Sequence, residues 1–464
     1  MNVAIIGGGL GGLVLAWRLQ QAGIAYTVFE ADNRPGGNFL TLRDPAGYVL
    51  EAGPNSVQLS PELEALLAEL DLSADLVEPA AVSGRRYVLR GGQYRELPGS
   101  PPALLTGGFF GLRTKWRLLR ELWQPAAAPN PTETVAAFFE RRFGREILDY
   151  AVNPFISGIY AGDPAQLLLH RTFPSLAALE QAHGSVLRGL MKQDAGGQRR
   201  RIVSLRHGLQ SLPLALAARL TGYRPHTAVT AVRRATGGGF LLETAAAPAE
   251  TATGLPETTA DAPAPSGPAT APEAFSHLAL ALPAYAAAGL LHDVFPEAAA
   301  ALAAVQYPPM SVVFSAYDRA AVQHPLDGFG ALHPKAENAY AAGSVWSSSL
   351  FAGRAPAGQV LFSTFVGGVQ YAEAAGQPEA PQLAAVDEEL RRLYGISAGP
   401  RWQGRYVWPR SIPQFDACIG PAQAAVDALG TQGVVAVANW RAGVGIPDVI
   451  RWAEKTAKKL GEGW

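Results

Sequence analysis

Apolar and polar positions over the first 30 residues follow the order strand, helix, strand. Val3–Ile6 is a continuous apolar run, which is typical of a buried strand, and Leu10–Gln21 repeats apolar residues at helical spacing. Gly23 ends the predicted helix, and Tyr26–Phe29 predicts a second strand. This order predicts a βαβ unit in a parallel sheet.

Strand-like and helical patterns alternate along the rest of the chain. Strand-like pieces at Phe39–Leu42 and Tyr48–Glu51 precede an amphipathic pattern that predicts a helix over 61–77, and residues 100–200 are mainly helical. The later predicted elements are a helix at Ser211–Leu220 with Ser211 as its N-cap, strands at Val229–Arg234, Phe240–Glu243, Leu278–Leu282, 311–317 and 360–366, a helix at Gln382–Tyr394, and a strand and a helix at Val434–Val437 and Pro447–Leu460.

Two segments lack the apolar residues that a packed core needs. Residues 245–273 are rich in Ala, Pro, Thr and Glu, and this composition predicts a flexible insertion at the tip of a hairpin. A linker between independent domains is the alternative, but Leu278–Leu282 resumes a buried strand, which favours the insertion. Residues 192–201 are polar and basic and predict an exposed linker.

The overall composition excludes several classes of protein. The chain has 464 residues, enough for about two to four domains, and its net charge of −1 lacks the basic excess that non-specific nucleic-acid binding needs. Cys418 is the only cysteine, so an internal disulfide and a Cys-rich metal site are excluded. No apolar run of about 18 residues and no signal-peptide pattern occurs, which predicts a cytoplasmic protein or one held peripherally at the inner face of a membrane.

The turn after the first strand carries a dinucleotide-binding fingerprint. Gly7, Gly9 and Gly12 fit GxGxxG, in which the glycines allow a tight turn, close approach of a pyrophosphate and close packing of helix against strand. The N-terminus of the following helix directs its positive dipole end at the phosphates. Glu30 ends the second strand 18 residues beyond Gly12, where a carboxylate accepts hydrogen bonds from ribose hydroxyls.

A second glycine pair favours FAD over NAD. Arg34-Pro35-Gly36-Gly37 follows the ribose carboxylate, where flavoenzymes of the amine-oxidase type place a glycine pair beside the diphosphate. No second GxGxxG is present to hold NAD(P)H next to a flavin. The enzyme is therefore expected to take electrons from its substrate and to pass them to O2.

Further motifs cover nearly the whole chain outside the insertion. In chain order they are Gly53-Pro54-Asn55-Ser56, Ser157–Pro164 (SGIYAGDP), Leu205–Leu212, Tyr307-Pro308-Pro309, Leu332-His333-Pro334, Ser347–Phe351, Val407-Trp408-Pro409, Ile412–Phe415 and Ala438–Asp448. In these motifs the chain resembles the FAD-dependent protoporphyrinogen/coproporphyrinogen oxidases of haem biosynthesis, within the amine-oxidase-like flavoprotein group. The insertion has no counterpart in that family pattern.

The resemblance implies an α/β fold with three parts. These are a discontinuous Rossmann-like FAD-binding domain, an α+β substrate domain and a helical domain that contacts the membrane. The predicted limits are 1–78, 199–290 and 407–464 for the FAD-binding domain, 79–99 and 291–406 for the substrate domain, and 100–198 for the helical domain.

The predicted membrane contact is the apolar stretch Ala103–Leu112 of the helical domain, with Phe109 and Phe110. It is too short to span a bilayer but long enough to rest in the interface. A buried helix start is the alternative. The oligomeric state, a homodimer included, stays open.

The resemblance also assigns residues to FAD. Val229 lies in the strand whose backbone contacts the adenine, Asn439 is placed near the ribityl chain, and Trp408 and Trp440 flank the isoalloxazine. Gly445 opens a helix whose N-terminus supports negative charge on the reduced flavin. The predicted FAD-binding residues are Gly7, Gly9, Gly11, Gly12, Glu30, Ala31, Gly36, Gly37, Asn38, Gly53, Pro54, Asn55, Ser56, Val229, Trp408, Asn439, Gly445 and Ile446.

The same resemblance assigns residues to the substrate. Arg86 is placed at a porphyrinogen propionate, where its planar guanidinium binds both carboxylate oxygens. Leu332 and Phe351 match the positions that sandwich the tetrapyrrole, and Asn55 and Gly162 line the flavin face of the cavity. Without the resemblance, Arg86 would be interpreted as a surface charge. No metal and no dedicated acid–base side chain are expected.

The implied activity is the oxygen-dependent oxidation of protoporphyrinogen IX to protoporphyrin IX. A meso carbon gives a hydride to FAD, O2 becomes H2O2, and three such cycles remove six electrons. One alternative is the oxidation of coproporphyrinogen III to coproporphyrin III, and another is an amine oxidase or carotenoid desaturase of the same fold. A non-catalytic protein that binds prenylated proteins is a further alternative, against which the intact FAD fingerprint argues.

Overall fold

The computed structural model describes residues 1–193, 201–247 and 270–462. Within these ranges the strands are β1 (Asn2–Ile6), β2 (Ala25–Phe29), β3 (Thr41–Arg43), β4 (Val49–Glu51), β5 (Val57–Gln58), β6 (Leu76–Val77), β7 (Tyr87–Arg90), β8 (Gln93–Glu96), β9 (Ile202–Leu205), β10 (Tyr223–Arg224), β11 (Thr227–Arg234), β12 (Phe240–Ala246), β13 (Glu273–Phe275), β14 (His277–Leu280), β15 (Met310–Asp318), β16 (Gly330–Leu332), β17 (Gly343–Val345), β18 (Gln359–Gly367), β19 (Trp402–Trp408) and β20 (Val434–Ala436). The helices are α1 (Leu10–Gln21), α2 (Pro61–Glu69), α3 (Pro101–Thr106), α4 (Leu112–Glu121), α5 (Val135–Arg142), α6 (Arg145–Ile147), α7 (Asn153–Tyr160), α8 (Leu169–Thr172), α9 (Pro174–His183), α10 (Val186–Gln193), α11 (Ser211–Arg219), α12 (Ala284–Leu291), α13 (Pro296–Ala303), α14 (Ser347–Leu350), α15 (Ala372–Ala375), α16 (Glu379–Tyr394), α17 (Ile419–Ala428), α18 (Asn439–Ala442) and α19 (Ile446–Gly461).

Five parallel strands in the order β10-β2-β1-β14-β20 form the first sheet. The predicted βαβ unit is confirmed, with a helix at Leu10–Gln21 and with Ile6 paired to Phe29. Ile6 also pairs with Leu280, and Leu280 pairs with Ala436, so strands from the first, middle and last parts of the chain share one sheet. This arrangement is the discontinuous Rossmann-like core that the fold class requires. The individual domain limits stay predictions.

A seven-stranded sheet in the order β19-β15-β18-β17-β16-β7-β8 forms the second layer. Its neighbouring strands are antiparallel except β16 and β7, which run parallel with Leu332 paired to Val88. Val88 packs with the core of the helical region, whereas Tyr317, Trp346 and Phe362 pack in a different core together with α16. The two faces of this sheet therefore pack against two different hydrophobic cores.

Helices α3 to α10 form a layer that is held together by buried charges. Glu121, the last residue of α4, accepts hydrogen bonds from the Val186 N–H at 2.8 Å and the Ser185 hydroxyl at 2.6 Å, so it caps α10. Arg142 of α5 is buried between Glu121 and Glu180. These contacts fix the relative positions of α4, α5, α9 and α10.

Two predicted helix boundaries are wrong. α2 ends at Glu69 rather than at residue 77, because Asp71 adopts a left-handed φ of 61° and the chain then enters β6. Ser211 is the first residue of α11 rather than its N-cap, because its N–H already donates to a carbonyl of the preceding turn at 3.1 Å. Gln210 occupies the N-cap position.

The predicted insertion joins two neighbouring antiparallel strands. β12 pairs with β13 through Phe240 and Phe275, and β11 pairs with β12, as the predicted hairpin requires. Residues 248–269, which make up most of the predicted insertion, lie outside the described residues, and so do residues 194–200 of the predicted exposed linker. The expectation that the insertion is flexible stays a prediction.

Phe109 and Phe110, the predicted membrane contact, are buried. They are 6% and 3% exposed, and their ring centroids lie 4.7 Å apart. Arg90 stacks on the Phe109 ring at 5.2 Å and donates a hydrogen bond to its carbonyl oxygen. The prediction that these rings contact a membrane is wrong, because the loop between α3 and α4 turns them into the core.

Candidate active site

The glycine turn between β1 and α1 forms an open cradle. Gly7 has a φ of +107°, and a Cβ there would lie 2.5 Å from the carbonyl oxygen of Ala281. A Cβ on Gly12 would lie 2.8 Å from the Ala281 side chain, so helix and strands are in close contact at this point. A Cβ on Gly9 would have only one neighbour within 4 Å among the described residues, the Ala281 carbonyl at 3.8 Å. Gly9 therefore borders open space.

This open space fits the diphosphate of FAD. Gly9 is the N-cap of α1, and no described side chain caps the helix, so its first N–H groups are available to an anion. Gly36 and Gly37 close the cradle on the other side, because the Gly36 N–H donates to the Gly8 carbonyl at 2.8 Å and a Cβ on Gly37 would lie 3.6 Å from the Gly9 Cα.

Glu30 lies beside the cradle at the end of β2. Its carboxylate accepts hydrogen bonds from the N–H groups of Gly8 at 2.6 Å and Asp32 at 2.7 Å. Burial raises the pKa of Glu30, although both backbone hydrogen bonds favour the ionised form. The N–H of Thr227, two residues before Val229, donates to the Glu30 carbonyl at 2.8 Å. The residues predicted for ribose and adenine therefore lie at one end of the parallel sheet.

The turn Gly53–Ser56, which follows β4, joins the cradle to the seven-stranded sheet. The carbonyl of Asn38 packs against its glycine, and the Trp408 Nε1 donates to the carbonyl directly before the turn at 2.8 Å. The side-chain oxygen of Asn55 lies 3.5 Å from the Ser347 hydroxyl at the start of α14. Predicted flavin residues from distant parts of the chain meet at this turn.

The end of the chain returns to the cradle. The carbonyl of Val437, directly after β20, packs against Gly11. Asn439 begins α18, Gly445 is the N-cap of α19, and Ile446 is the first residue of that helix. Helix α1 follows β1, and helices α18 and α19 follow β20 of the same parallel sheet.

The two tryptophans predicted to flank the isoalloxazine differ in position. Trp408 lies at the Gly53–Ser56 turn, as described above. Trp440 is completely buried, its Nε1 donates to the Leu282 carbonyl at 3.0 Å, and its own carbonyl accepts from Gln423 at 2.9 Å. The structure therefore places Trp440 in the hydrophobic core.

Leu332 and Arg86 share one face of the seven-stranded sheet. Leu332 pairs directly with Val88, and Arg86 precedes Val88 by two residues, so the three side chains project in the same direction. A Cβ on Gly158 would lie 2.9 Å from the Leu332 side chain, so the SGIYAGDP segment covers this face. Arg86 is exposed, and its guanidinium lies 5.4 Å from the centroid of the Phe329 ring.

The remaining predicted substrate residues are more enclosed. A Cβ on Gly162 would lie 2.7 Å from the Gln414 Oε1, so no larger residue fits there without a shift. Phe351 is buried directly after α14, with the Arg354 guanidinium 5.7 Å from its ring centroid. The two residues predicted to sandwich the tetrapyrrole therefore differ in exposure, because Phe351 is buried and Leu332 is only half-buried.

A buried ion pair, Glu51 with Arg354, was missed by sequence reasoning. Glu51 accepts hydrogen bonds from the Thr41 hydroxyl at 2.7 Å and the Leu209 N–H at 2.9 Å, and an Arg354 nitrogen lies 3.5 Å away. Burial raises the pKa of Glu51, and the Arg354 charge opposes that rise. The pair ties the Leu205–Leu212 motif and the loop after α14 to β4. The sequence feature that could have indicated this buried ion pair is the position of Glu51 at the end of an otherwise apolar strand.

Comparison with known proteins defines the class. The sequence profile of the flavin containing amine oxidoreductases matches residues 10–459. The chain is 31% identical over 497 residues to the chloroplastic protoporphyrinogen oxidase of Oryza sativa subsp. japonica, which covers 99% of this chain and 88% of the relative. It is 26% identical to the coproporphyrinogen III oxidase of Bacillus subtilis (strain 168), over 97% of this chain and 95% of the relative.

Solved structures agree with this class at the level of the fold. A structure from Exiguobacterium sp. 255-15 superposes with a TM-score of 0.79 at 21% identity, covering 100% of this chain and 99% of that one. Cyclohexylamine oxidase from Brevibacterium oxydans gives 0.69 at 16% identity, covering 99% and 98%. The protein is thus an FAD-dependent oxidoreductase. It belongs to the flavin-containing amine oxidoreductase family.

Proposed function

We propose that this enzyme oxidises protoporphyrinogen IX to protoporphyrin IX with O2 as the electron acceptor. The observation that carries the proposal is the 31% sequence identity to a protoporphyrinogen oxidase, in an alignment that covers 99% of this chain. FAD, when bound, supplies the acceptor for a hydride that leaves a meso carbon of the substrate. Over the whole reaction, six electrons and six protons leave the macrocycle, and three O2 become three H2O2.

The chain itself positions the substrate. Leu332 and the backbone at Gly158 offer an apolar surface to the macrocycle, and Arg86 at the open edge pairs with a carboxylate. Gly162 and Asn55 lie on the segments that join this surface to the FAD cradle. Hydride loss to a bound acceptor demands no acid–base side chain at the meso carbon.

The preferred substrate can be identified by comparing kcat/KM for three candidate substrates, each supplied separately. Purified enzyme is given protoporphyrinogen IX, coproporphyrinogen III or a primary amine under air, and porphyrin fluorescence or H2O2 is followed. Protoporphyrinogen IX is expected to have the highest kcat/KM. A higher value for coproporphyrinogen III would favour the activity named for the Bacillus subtilis relative, and turnover of the amine alone would contradict the proposal.

Arg86→Ala is expected to lower kcat/KM for the porphyrinogen by about 10- to 100-fold. A hydrogen bond to a charged group is worth roughly 1.5–3 kcal/mol, and the bulk of the apolar substrate still binds without it. Arg86→Lys is expected to recover part of the loss, because the ammonium keeps the charge and lacks the planar fork. FAD content and Tm are expected to stay at wild-type values.

Arg85→Ala is the matched control for Arg86. Arg85 lies on the opposite face, where it pairs with Asp327 and lies 3.9 Å from Glu96. Its replacement is expected to change kcat/KM by less than about twofold, because exposed ion pairs contribute little. Loss of activity in Arg85→Ala with no loss in Arg86→Ala would show that the other face of the strand binds the substrate.

We also propose that α4 forms the membrane contact. In the described part of the chain, no helix has both the length and the apolar character needed to cross a bilayer. Leu112, Trp116 and Leu119 form an exposed stripe along α4, and Trp123 continues it in the turn directly after the helix. Both tryptophans are well exposed, at 61% and 74%. The basic side chains around this stripe are Arg113, Lys115, Arg117 and Arg120. Such a helix is suited to lie in the interface of an anionic membrane.

Trp116→Asp/Trp123→Asp is expected to abolish most co-sedimentation with vesicles that contain phosphatidylglycerol, and to leave porphyrinogen turnover in detergent unchanged. Leu214→Asp is the control, because Leu214 is a 48% exposed apolar residue on the distant helix α11. Equal sedimentation of all three proteins would reject α4 as the contact. A shift of the double variant from dimer to monomer would assign the stripe to a second copy of the chain.

A further inference from the structure

The hairpin of β7 and β8 carries a second arginine on the same face as Arg86. Arg95 pairs directly with Val88, and the Leu97 N–H donates to the Arg86 carbonyl at 2.8 Å, which continues the ladder. Directly paired residues project to the same side of a sheet, so Arg86, Val88 and Arg95 share one face. Leu332, paired to Val88 from the other side, shares it too.

The remaining arginines of this hairpin are already paired. Arg85 projects to the other face and binds Asp327, and Arg90 binds Glu146. Among the described residues, neither Arg86 nor Arg95 forms an ion pair, and both are exposed. Two guanidinium groups that form no ion pair within the described part of the chain therefore lie at the open edge of the surface that Leu332 begins, and that of Arg86 stacks on the Phe329 ring.

The spacing of the two arginines suits a pair of carboxylates. Arg86 and Arg95 are diagonal neighbours on antiparallel strands, and such positions lie about 7–8 Å apart. Each guanidinium can bind one carboxylate through two parallel hydrogen bonds. An exposed edge also leaves the carboxylates partly hydrated, which avoids the cost of burying charge.

We propose that Arg95 is a second carboxylate-binding residue, and that Arg86 and Arg95 together hold two propionates on neighbouring rings of one tetrapyrrole. This inference rests on the proposed function. Protoporphyrinogen IX carries its only two propionates on adjacent rings, so its charged edge matches the arginine pair while its vinyl edge is directed towards the apolar surface at Leu332. The pair thereby fixes the rotation of the macrocycle about its own axis.

The test compares Arg95→Ala with wild-type holoenzyme on protoporphyrinogen IX and on its dimethyl ester. For the diacid, KM is expected to rise about 3- to 10-fold, because an exposed but bidentate pair is lost, while kcat changes less than about twofold. For the ester, KM is expected to be the same in both proteins. Arg95→Lys is expected to recover part of the loss.

Gln93→Ala is the matched control. Gln93 lies on the same edge strand as Arg95, pairs with Arg90 of β7 and carries no charge. It is expected to leave both substrates unaffected. An equal change for diacid and ester in Arg95→Ala, or no change for the diacid, would overturn the inference and leave the proposed function intact.

Product binding separates this inference from the proposed function. Protoporphyrin IX is titrated into the holoenzyme, and quenching of tryptophan fluorescence is followed. Wild-type protein is expected to bind it about 3- to 10-fold more tightly than Arg95→Ala. If the wild type oxidises no porphyrinogen, the proposed function fails, and equal affinities in this titration would overturn the role of Arg95 independently.

Discussion

Gly9→Ala is expected to fold like the wild type and to retain almost no FAD. A Cβ at this position lies 3.8 Å from its nearest described neighbour, and φ of −67° is ordinary for any residue, so the apoprotein is not strained. The same Cβ occupies the approach to the uncapped N-terminus of α1, where we expect the diphosphate to bind. Losing one or two hydrogen bonds to a charged group, each roughly 1.5–3 kcal/mol, weakens FAD binding by at least about 10-fold and by up to about 20,000-fold.

The measurement is FAD titration into apoprotein, with the Tm of the apoprotein recorded beside it. Gly12→Ala is the contrasting variant, because its Cβ would lie 2.8 Å from the Ala281 side chain and would also meet the Gly7 carbonyl. It is expected to lower the Tm of the apoprotein as well as FAD affinity. Gly9→Ala with wild-type flavin content would show that the diphosphate lies elsewhere.

Arg142→Ala is expected to lower the free energy of unfolding by about 3–5 kcal/mol, because it leaves the buried Glu121 carboxylate without its cation and removes one of the two arginines that pair with Glu180. Arg142 and Glu121 are fully buried, and Glu180 is nearly so. Arg142 donates to Glu180 through Nε at 3.0 Å as well as through its terminal nitrogen. Urea unfolding followed by circular dichroism measures the change.

Arg145→Ala is the control for Arg142. Arg145 forms an exposed ion pair with Asp149 four residues later, and such pairs are worth only about 0.3–0.5 kcal/mol. Equal destabilisation by the two variants would contradict the assignment of a buried charge network to this layer.

The same network makes the protein sensitive to acid. Burial favours the neutral form of Glu180, but hydrogen bonds from Arg141 and Arg142 outweigh it and lower the pKa of Glu180 to about 2. A carboxyl whose pKa is lowered on folding stabilises the fold above its ordinary pKa of 4.5. This contribution is expected to be complete above pH 4.5 and to be lost as the pH falls towards 2.

Local sequence patterns predicted the nucleotide-binding part well. The helix Leu10–Gln21 is bounded by the glycine turn before it and by Gly23 after it, so both ends are set by neighbouring residues. The prediction over 61–77 went too far because Leu72 and Leu76 continue the apolar period, whereas the chain turns at Asp71 and Leu76 pairs with Leu205 in a strand. That strand partner is more than a hundred residues away in sequence.

Burial of single side chains was harder to predict. Phe109 and Phe110 had the composition of a membrane contact, but the loop between α3 and α4 turns both rings into the core, where Arg90 of β7 packs on Phe109. The exposed stripe on α4 is interrupted by basic residues, so its apolar spacing of four, three and four residues is less visible in the sequence than a continuous apolar run. Glu51 and Arg354 are some three hundred residues apart, and only the folded chain brings them together.

The register of β7 determines whether Arg85 or Arg86 projects to the same face as Leu332. Arg85 and Arg86 are adjacent in sequence, so one must project to each side of the sheet. The pairing of Val88 with Leu332 places Arg86 on the face that we propose for the substrate and leaves Arg85 with Asp327. Arg95 did not stand out in the sequence, because its position depends on the pairing of two strands.

The central claim is that the enzyme passes electrons from a porphyrinogen to O2. Protoporphyrinogen IX is supplied in air to purified enzyme, and porphyrin fluorescence, O2 consumption and H2O2 are recorded together, with heat-inactivated enzyme as the control for spontaneous oxidation. Three O2 consumed and three H2O2 formed for each protoporphyrin IX, at a rate well above the control, is the predicted result. Porphyrin formation no faster than the control, or formation without matching consumption of O2, would contradict the account.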